Sequence, residues 1–132
     1  MKGSKKKAWD WFSKYIRLRD AIETTGTSTH FWCPTCGKKL PYEQGQAGHS
    51  IGGRGNSILL HEEIVHCQCS GCNAFGGQYA KYSVFMIEKY GLDAWKEFVI
   101  LSKQPKTIKE FEWKELSETY KQKFEGLRSL GL

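Results

Sequence analysis

A chain of 132 residues can bury one hydrophobic core but not two well-stabilised ones, which leaves a single compact domain with helical extensions. Twenty Lys and Arg against fourteen Asp and Glu give a formal net charge of +6, a balance that favours a polyanionic partner through phosphate neutralisation and counterion release; the charge alone fits a basic domain that binds nothing equally well. No apolar stretch approaches the roughly 20 residues of a membrane span, and the basic start MKGSKKKAW leads into no apolar segment, so the expected location is cytoplasmic.

From Lys6 to Glu23 the apolar residues Ala8, Trp11, Phe12, Tyr15, Leu18 and Ile22 recur every three or four positions and predict one amphipathic helix. Its other face carries Lys7, Lys14, Arg17 and Arg19. That face reads either as a solvated surface or as a phosphate-contacting one, with Lys14, Arg17 and Arg19 as the candidate DNA contacts. Gly26 stands where the helix would have ended.

Between Thr27 and Asn73 the pattern shifts to Gly, Cys, His and Pro. Two short apolar runs, Ile58-Leu59-Leu60 and Ile64-Val65, suit short strands. Gly52-Gly53-Arg54-Gly55-Asn56 suits a loop between two strands, since glycine tolerates the positive φ of a tight turn. After Gly77, helical periodicity returns at Tyr79, Tyr82, Phe85, Met86 and Tyr90 and stops at Gly91; a second helix is expected from Asp93 to Ser102. Pro105 breaks the chain. Thr107 followed by Glu110 forms a capping-box signature for a last helix through Trp113, Leu116, Tyr120 and Phe124. This aromatic stripe suits core, or a packing surface for a second copy, better than base stacking. The expected division of the single domain 1–132 is thus a basic helix at 6–23, a cysteine-rich core at 27–78 and a helical part at 79–132.

Five cysteines, an odd number in a reducing compartment, point to metal rather than disulfides. Cys33-Pro34-Thr35-Cys36 and Cys69-Ser70-Gly71-Cys72 are two C-x-x-C knuckles, a spacing that lets both thiolates of each pair reach one tetrahedral ion. Together Cys33, Cys36, Cys69 and Cys72 make a four-cysteine structural zinc site, whose ion would supply folding free energy where apolar mass is scarce. Redox knuckles normally stand alone at a helix start, which disfavours that alternative. Cys67 offers a ligand in another register; the C-x-x-C pairing of Cys69 with Cys72 leaves it a buried thiol instead.

Between the knuckles lie Ala47-Gly48-His49-Ser50-Ile51, the Gly-rich turn, and His61-Glu62-Glu63-Ile64-Val65-His66. A histidine on a strand, a turn, a second strand and a zinc knuckle entering a helix is the order of the ββα-metal (HNH) nuclease fold. Ser13 to Asp20, Cys33-Pro34-Thr35-Cys36-Gly37, Ala47-Gly48-His49, His66 to Asn73, and the segment Tyr82 to Gly91 together resemble the NinG/Rap family of lambdoid phage recombination proteins. The resemblance spans most of residues 6 to 100 and leaves out the helix after Pro105. It implies an α+β fold built on a small ββα-metal core. It further implies a phage endonuclease that uses Mg²⁺ or Mn²⁺ on branched recombination intermediates such as Holliday junctions or D-loops.

Phosphodiester hydrolysis takes a base to activate water, a metal to neutralise oxygens and positive charge for the transition state. His49 suits the base, since an imidazole near its ordinary pKa of ~6.5 is neutral at cytosolic pH. The resemblance places Asn73 where HNH nucleases carry a metal-binding His or Asn, and a carboxamide oxygen suits Mg²⁺ or Mn²⁺. Arg54 is a candidate for the scissile phosphate or a solvated loop arginine. Two positions depart from the HNH pattern. Gly48 stands where relatives carry a metal-ligating Asp or His, and Ile64 where an Asn is usual. His49, His66, Glu62 or Glu63 remain to complete coordination with Asn73. For His66, orienting the knuckle competes with a ligand role; His30 and His61 read as surface or packing residues. Alternatives to the junction nuclease are a non-catalytic zinc-ribbon DNA-binding recombination factor and an HNH enzyme nicking ordinary duplex DNA. Symmetric junction cutting would imply a homodimer.

Overall fold

The computed structural model describes residues 1–132. Helix α1 runs Gly3–Thr25 and stops at Gly26, whose left-handed φ of 75° turns the chain while its N–H caps Ile22 O. Strands β1 (His30–Trp32) and β2 (Lys39–Pro41) pair antiparallel around the first knuckle. Strand β3 (Gly45–His49) pairs antiparallel with β4 (Val65–Cys69), in a register that sets Gly48 opposite His66 and His49 opposite Val65. The short helices α2 (Asn56–Leu59) and α3 (Ser70–Ala74) follow β3 and β4 respectively. Helices α4 (Tyr79–Tyr90), α5 (Leu92–Ser102) and α6 (Glu110–Arg128) complete the chain. None of them is long and apolar enough to cross a membrane.

Two local expectations are corrected. Ile58-Leu59-Leu60 is no strand: Ile58 and Leu59 sit fully buried in α2, whose turn closes with N–H bonds from both residues to Gly55 O. Three apolar residues in a row serve a buried helical turn as well as a strand, so periodicity could not separate them. The last helix is capped two residues later than expected, at Lys109, whose N–H donates to Glu112 Oε1 at 3.1 Å. Thr107 and Glu110 do not form the cap, because Glu110 is the first residue of the helix and not its third.

The core is a chain of small clusters. Phe12 and Ile16 of α1 meet Ala47, Val65 and Tyr120, and the Phe12 and Tyr120 rings stand edge-on at 4.9 Å. Trp113, 5% exposed, joins Ala8 and Leu59, while Phe124 lies 6.0 Å from Trp11. The aromatic stripe of α6 is therefore packed against α1 within one chain, as core. On the other side, Ile58, Ile64, Tyr82, Met86 and Phe98 join α2, α4 and α5 to the β3–β4 pair.

One buried carboxylate ties α1 to β4. Asp20 Oδ2 accepts from Cys67 N at 2.7 Å and from His66 Nδ1 at 3.0 Å, and Oδ1 accepts from Arg19 Nε at 2.8 Å. Burial opposes the charge, yet the His66 hydrogen bond and the charges of His66 and Arg19 hold the carboxyl down to about 2. Asp20→Ala would leave a guanidinium, an imidazole and a backbone N–H without their acceptor, an expected loss of roughly 3 kcal/mol or more. Urea unfolding checks this against Glu23→Ala, an exposed α1 carboxylate whose loss should cost far less.

Candidate functional site

The two knuckles fold as the cysteine spacing requires. The Sγ atoms of Cys33, Cys36, Cys69 and Cys72 all lie within 4.8 Å of one another, a cluster that could hold a structural metal ion such as zinc. Backbone N–H groups brace the sulfurs: Cys69 N donates to Cys33 Sγ across the two knuckles and Cys72 N to Cys69 Sγ within the second, both at 3.3 Å. Gly37, at φ 70°, closes the first turn with its N–H on Cys33 O. Cys67 stands outside the cluster at 1% exposure, packed with Ala21 and Phe31, and burial pushes its thiol up. The pairing of Cys69 with Cys72 is thus the one the fold adopts.

Beside this cluster, His49, Arg54 and Asn73 line one cleft of about 290 Å³, with Ala47, Gly77 and Tyr79 among its walls. Each arrives from a different element. His49 ends β3, Asn73 lies in α3 directly after the second knuckle, and Arg54 comes from the Gly-rich turn, where Gly53 takes φ 101° and Arg54 itself takes φ 47°. A left-handed arginine is uncommon. Its guanidinium lies 4.6 Å from the centre of the Trp9 ring, and Trp9 in turn stacks on His49 at 5.5 Å.

A backbone hydrogen bond and burial fix the chemistry of the imidazole. His49 Nε2 lies 3.1 Å from Leu59 O; a carbonyl only accepts, so Nε2 carries the proton and Nδ1 is the free nitrogen. Burial first, and the Arg54 charge second, push the ring down to about 4, so it is neutral at neutral pH. A second groove shares Ala47, Arg54 and Asn73 with the first and adds Trp9, Ser13, Arg17 and Gln46. Asn73 Nδ2 donates to Gln46 Oε1 at 2.8 Å, which leaves Asn73 Oδ1 free.

Other residues singled out from the sequence lie elsewhere. His66 leaves the cleft because it stands on the rung next to His49, and adjacent rungs of a strand pair point to opposite faces. Its ring is held by Asp20 and by Tyr90, whose hydroxyl lies 2.9 Å from Nε2, and it is 3% exposed. Arg19 is corrected likewise. Beyond Asp20, its guanidinium donates to Glu62 O at 2.6 Å and Val65 O at 3.0 Å, so it braces β4 and is not free to reach a phosphate. Glu62 accepts from Tyr120 and Lys123 of α6, away from Asn73. Lys14 lies over Trp11 at 4.6 Å, beside a groove between α1 and α6 lined by Lys7, Lys114 and Lys121. His61 caps a turn through Nδ1, and His30 stays at the surface with Thr29.

Three residues at the site were missed as functional residues by sequence reasoning. Trp9 lies one position off the helical stripe read from α1. Tyr82 reads as core, yet its hydroxyl donates to Gly48 O at 2.7 Å and accepts from His66 N at 3.1 Å. Gln68 is wholly buried between the knuckle and the cleft, its Nε2 donating to Gly77 O at 2.8 Å and Thr35 Oγ1 at 3.0 Å. A polar residue in a strand buried on both faces was the only signal for it.

Among known proteins, no curated protein and no solved structure matches the chain. The family described as Bacteriophage Lambda NinG protein matches residues 2–129, so α6, which the sequence resemblance left out, falls inside the family region. With nearly its whole length matched, the chain belongs to the phage NinG family.

Proposed function

We propose that the protein is a metal-dependent endonuclease of the HNH (ββα-metal) class that cuts branched DNA in the cytoplasm of a phage-infected cell. The observation that carries this reading is the shared cleft of His49, Asn73 and Arg54, set on an antiparallel strand pair followed by a short helix, the element order of that class. His49 Nδ1 accepts the proton of an attacking water while Nε2 stays on Leu59 O. Nδ1 has a single lone pair, so while it takes the proton of water it is not also a metal ligand. Arg54 and Arg17 hold the phosphate chain along the two adjoining grooves. A bound phosphate also offsets the Arg54 charge that disfavours imidazolium, so substrate raises the basicity of His49.

Asn73 Oδ1 is an oxygen donor without a partner, of the hard type that suits Mg²⁺ or Mn²⁺. A divalent ion there would neutralise the non-bridging and leaving oxygens of the scissile phosphate. The lysines between α1 and α6 offer a second stretch of positive surface for a DNA arm. Symmetric junction cutting would take two copies, joined through a surface other than the buried α6 stripe.

Gly48, without a side chain where HNH relatives carry a ligand, favours the second reading of a DNA-binding recombination factor that does not cut. Incubation of the zinc-loaded protein with Mg²⁺ or Mn²⁺ and synthetic four-way junctions separates the two. Nicked arms are the expected product; retarded but intact junctions would give the field to the binding factor. Equal cutting of linear duplex would keep the enzyme and remove the preference for branches.

A further inference from the structure

The vacant position at Gly48 has a neighbour that fills its role. A Cβ built on Gly48 would overlap Gln68 Oε1 and lie 3.1 Å from Asn73 Oδ1. The overlap with Oε1 is close to the separation of Cβ from a carboxylate oxygen inside one aspartate, so an amide oxygen from β4 stands about where an aspartate at 48 would put its own. Gln68 Oε1 is also the one buried side-chain polar atom in the protein without a hydrogen-bond partner. The orientation of its amide is fixed, since Gly77 O can only accept and must face Nε2. A buried acceptor left without a partner is destabilising, which a cation between two amide oxygens would offset.

We infer that Gln68 and Asn73 together hold a divalent cation through Oε1 and Oδ1, with Gly48 left bare to admit the Gln68 amide. The ligand absent from β3 is thereby supplied by β4. Neutral amide oxygens suit a hard ion such as Mg²⁺ or Mn²⁺ and not zinc, whose own donors are the four thiolates next door. Thr35 Oγ1, which accepts from Gln68 Nε2, also lies 3.3 Å from Cys33 Sγ, so the structural metal site positions this second one. The inference rests on the nuclease reading for what the cation does.

The test titrates the zinc-loaded full chain with Mn²⁺, following free Mn²⁺ by electron paramagnetic resonance. One Mn²⁺ per chain is expected. Gln68→Met, which keeps the length and removes the oxygen, should weaken binding roughly tenfold or more, as should Asn73→Ala. The pair Gly48→Asp with Gln68→Ala should recover most of it. Wild-type affinity in Gln68→Met, with zinc content and melting unchanged, would overturn the inference. A measurement on the unaltered protein guards against variants that fail to fold: on adding Mg²⁺, the side-chain carbonyl ¹³C signals of Gln68 and Asn73 should shift together, and their standing still would equally overturn it. Mn²⁺ held by this pair without DNA cleavage would leave the ligands standing and remove the nuclease. Cleavage that survives Gln68→Met with its metal dependence intact would remove Gln68 and leave the nuclease.

Discussion

Stripping the metal from Cys33, Cys36, Cys69 and Cys72 is expected to unfold the middle of the protein, and the effect should exceed that of any single core substitution. Between His30 and Ala74 the chain has only two two-stranded sheets and short helices, and the cluster around the knuckles counts Cys33 and Cys67 among its four buried members. Little apolar area is available there to replace the ion. Structural zinc sites contribute roughly 10 kcal/mol or more to folding at neutral pH. The purified protein should carry one zinc per chain, and a chelator under reducing conditions should abolish amide protection in β1 to β4 and in α3. Part of α1 and α6 should stay helical, since their aromatic contacts do not pass through the knuckles. Cys72→Ser should reproduce most of this loss, whereas Cys67→Ser should keep full zinc occupancy. Melting that ignores the chelator would refute a structural ion.

Replacing His49 should remove cleavage and little else. A positioned general base contributes about 10² to 10⁴ in rate, so His49→Ala is expected to lose at least two orders of magnitude on a junction while zinc content and junction affinity hold. His49→Gln is the stricter control, being closer in size beneath Trp9. Cleavage within a few-fold of wild type in both variants would move the base elsewhere. The same residue governs stability against acid. Its folded value of about 4 lies below the unfolded 6.5, so between these limits the unfolded chain binds the extra proton. The stability is complete above pH 6.5 and is lost as pH falls through 4, up to roughly 3 kcal/mol. Asp20 follows the same sign lower down, its contribution complete above pH 3.8 and lost toward about 2. Urea midpoints of His49→Gln should therefore be flatter than wild type between pH 6.5 and 4, with the Asp20 decline below that unchanged.

By itself the sequence determined what depends on neighbours along the chain. Each C-x-x-C turn predicts a pair of thiolates able to share one ion because the turn geometry is local, while the meeting of the two pairs is tertiary; the three-to-four spacing in α1, α4 and α5 marks helices that the structure contains. His49, Asn73 and Arg54 were also legible as a set, since each stands at the end of an element or in the turn beside one. Only the tertiary structure decided which way side chains leave those elements. Strand register sends His49 toward Trp9 and His66 toward Asp20, and burial commits Arg19 to carbonyls of its own chain. The pairing of β3 with β4 brings Gln68 across to bare Gly48. Each of these outcomes turns on contacts between residues at least 16 positions apart, which no local spacing rule encodes.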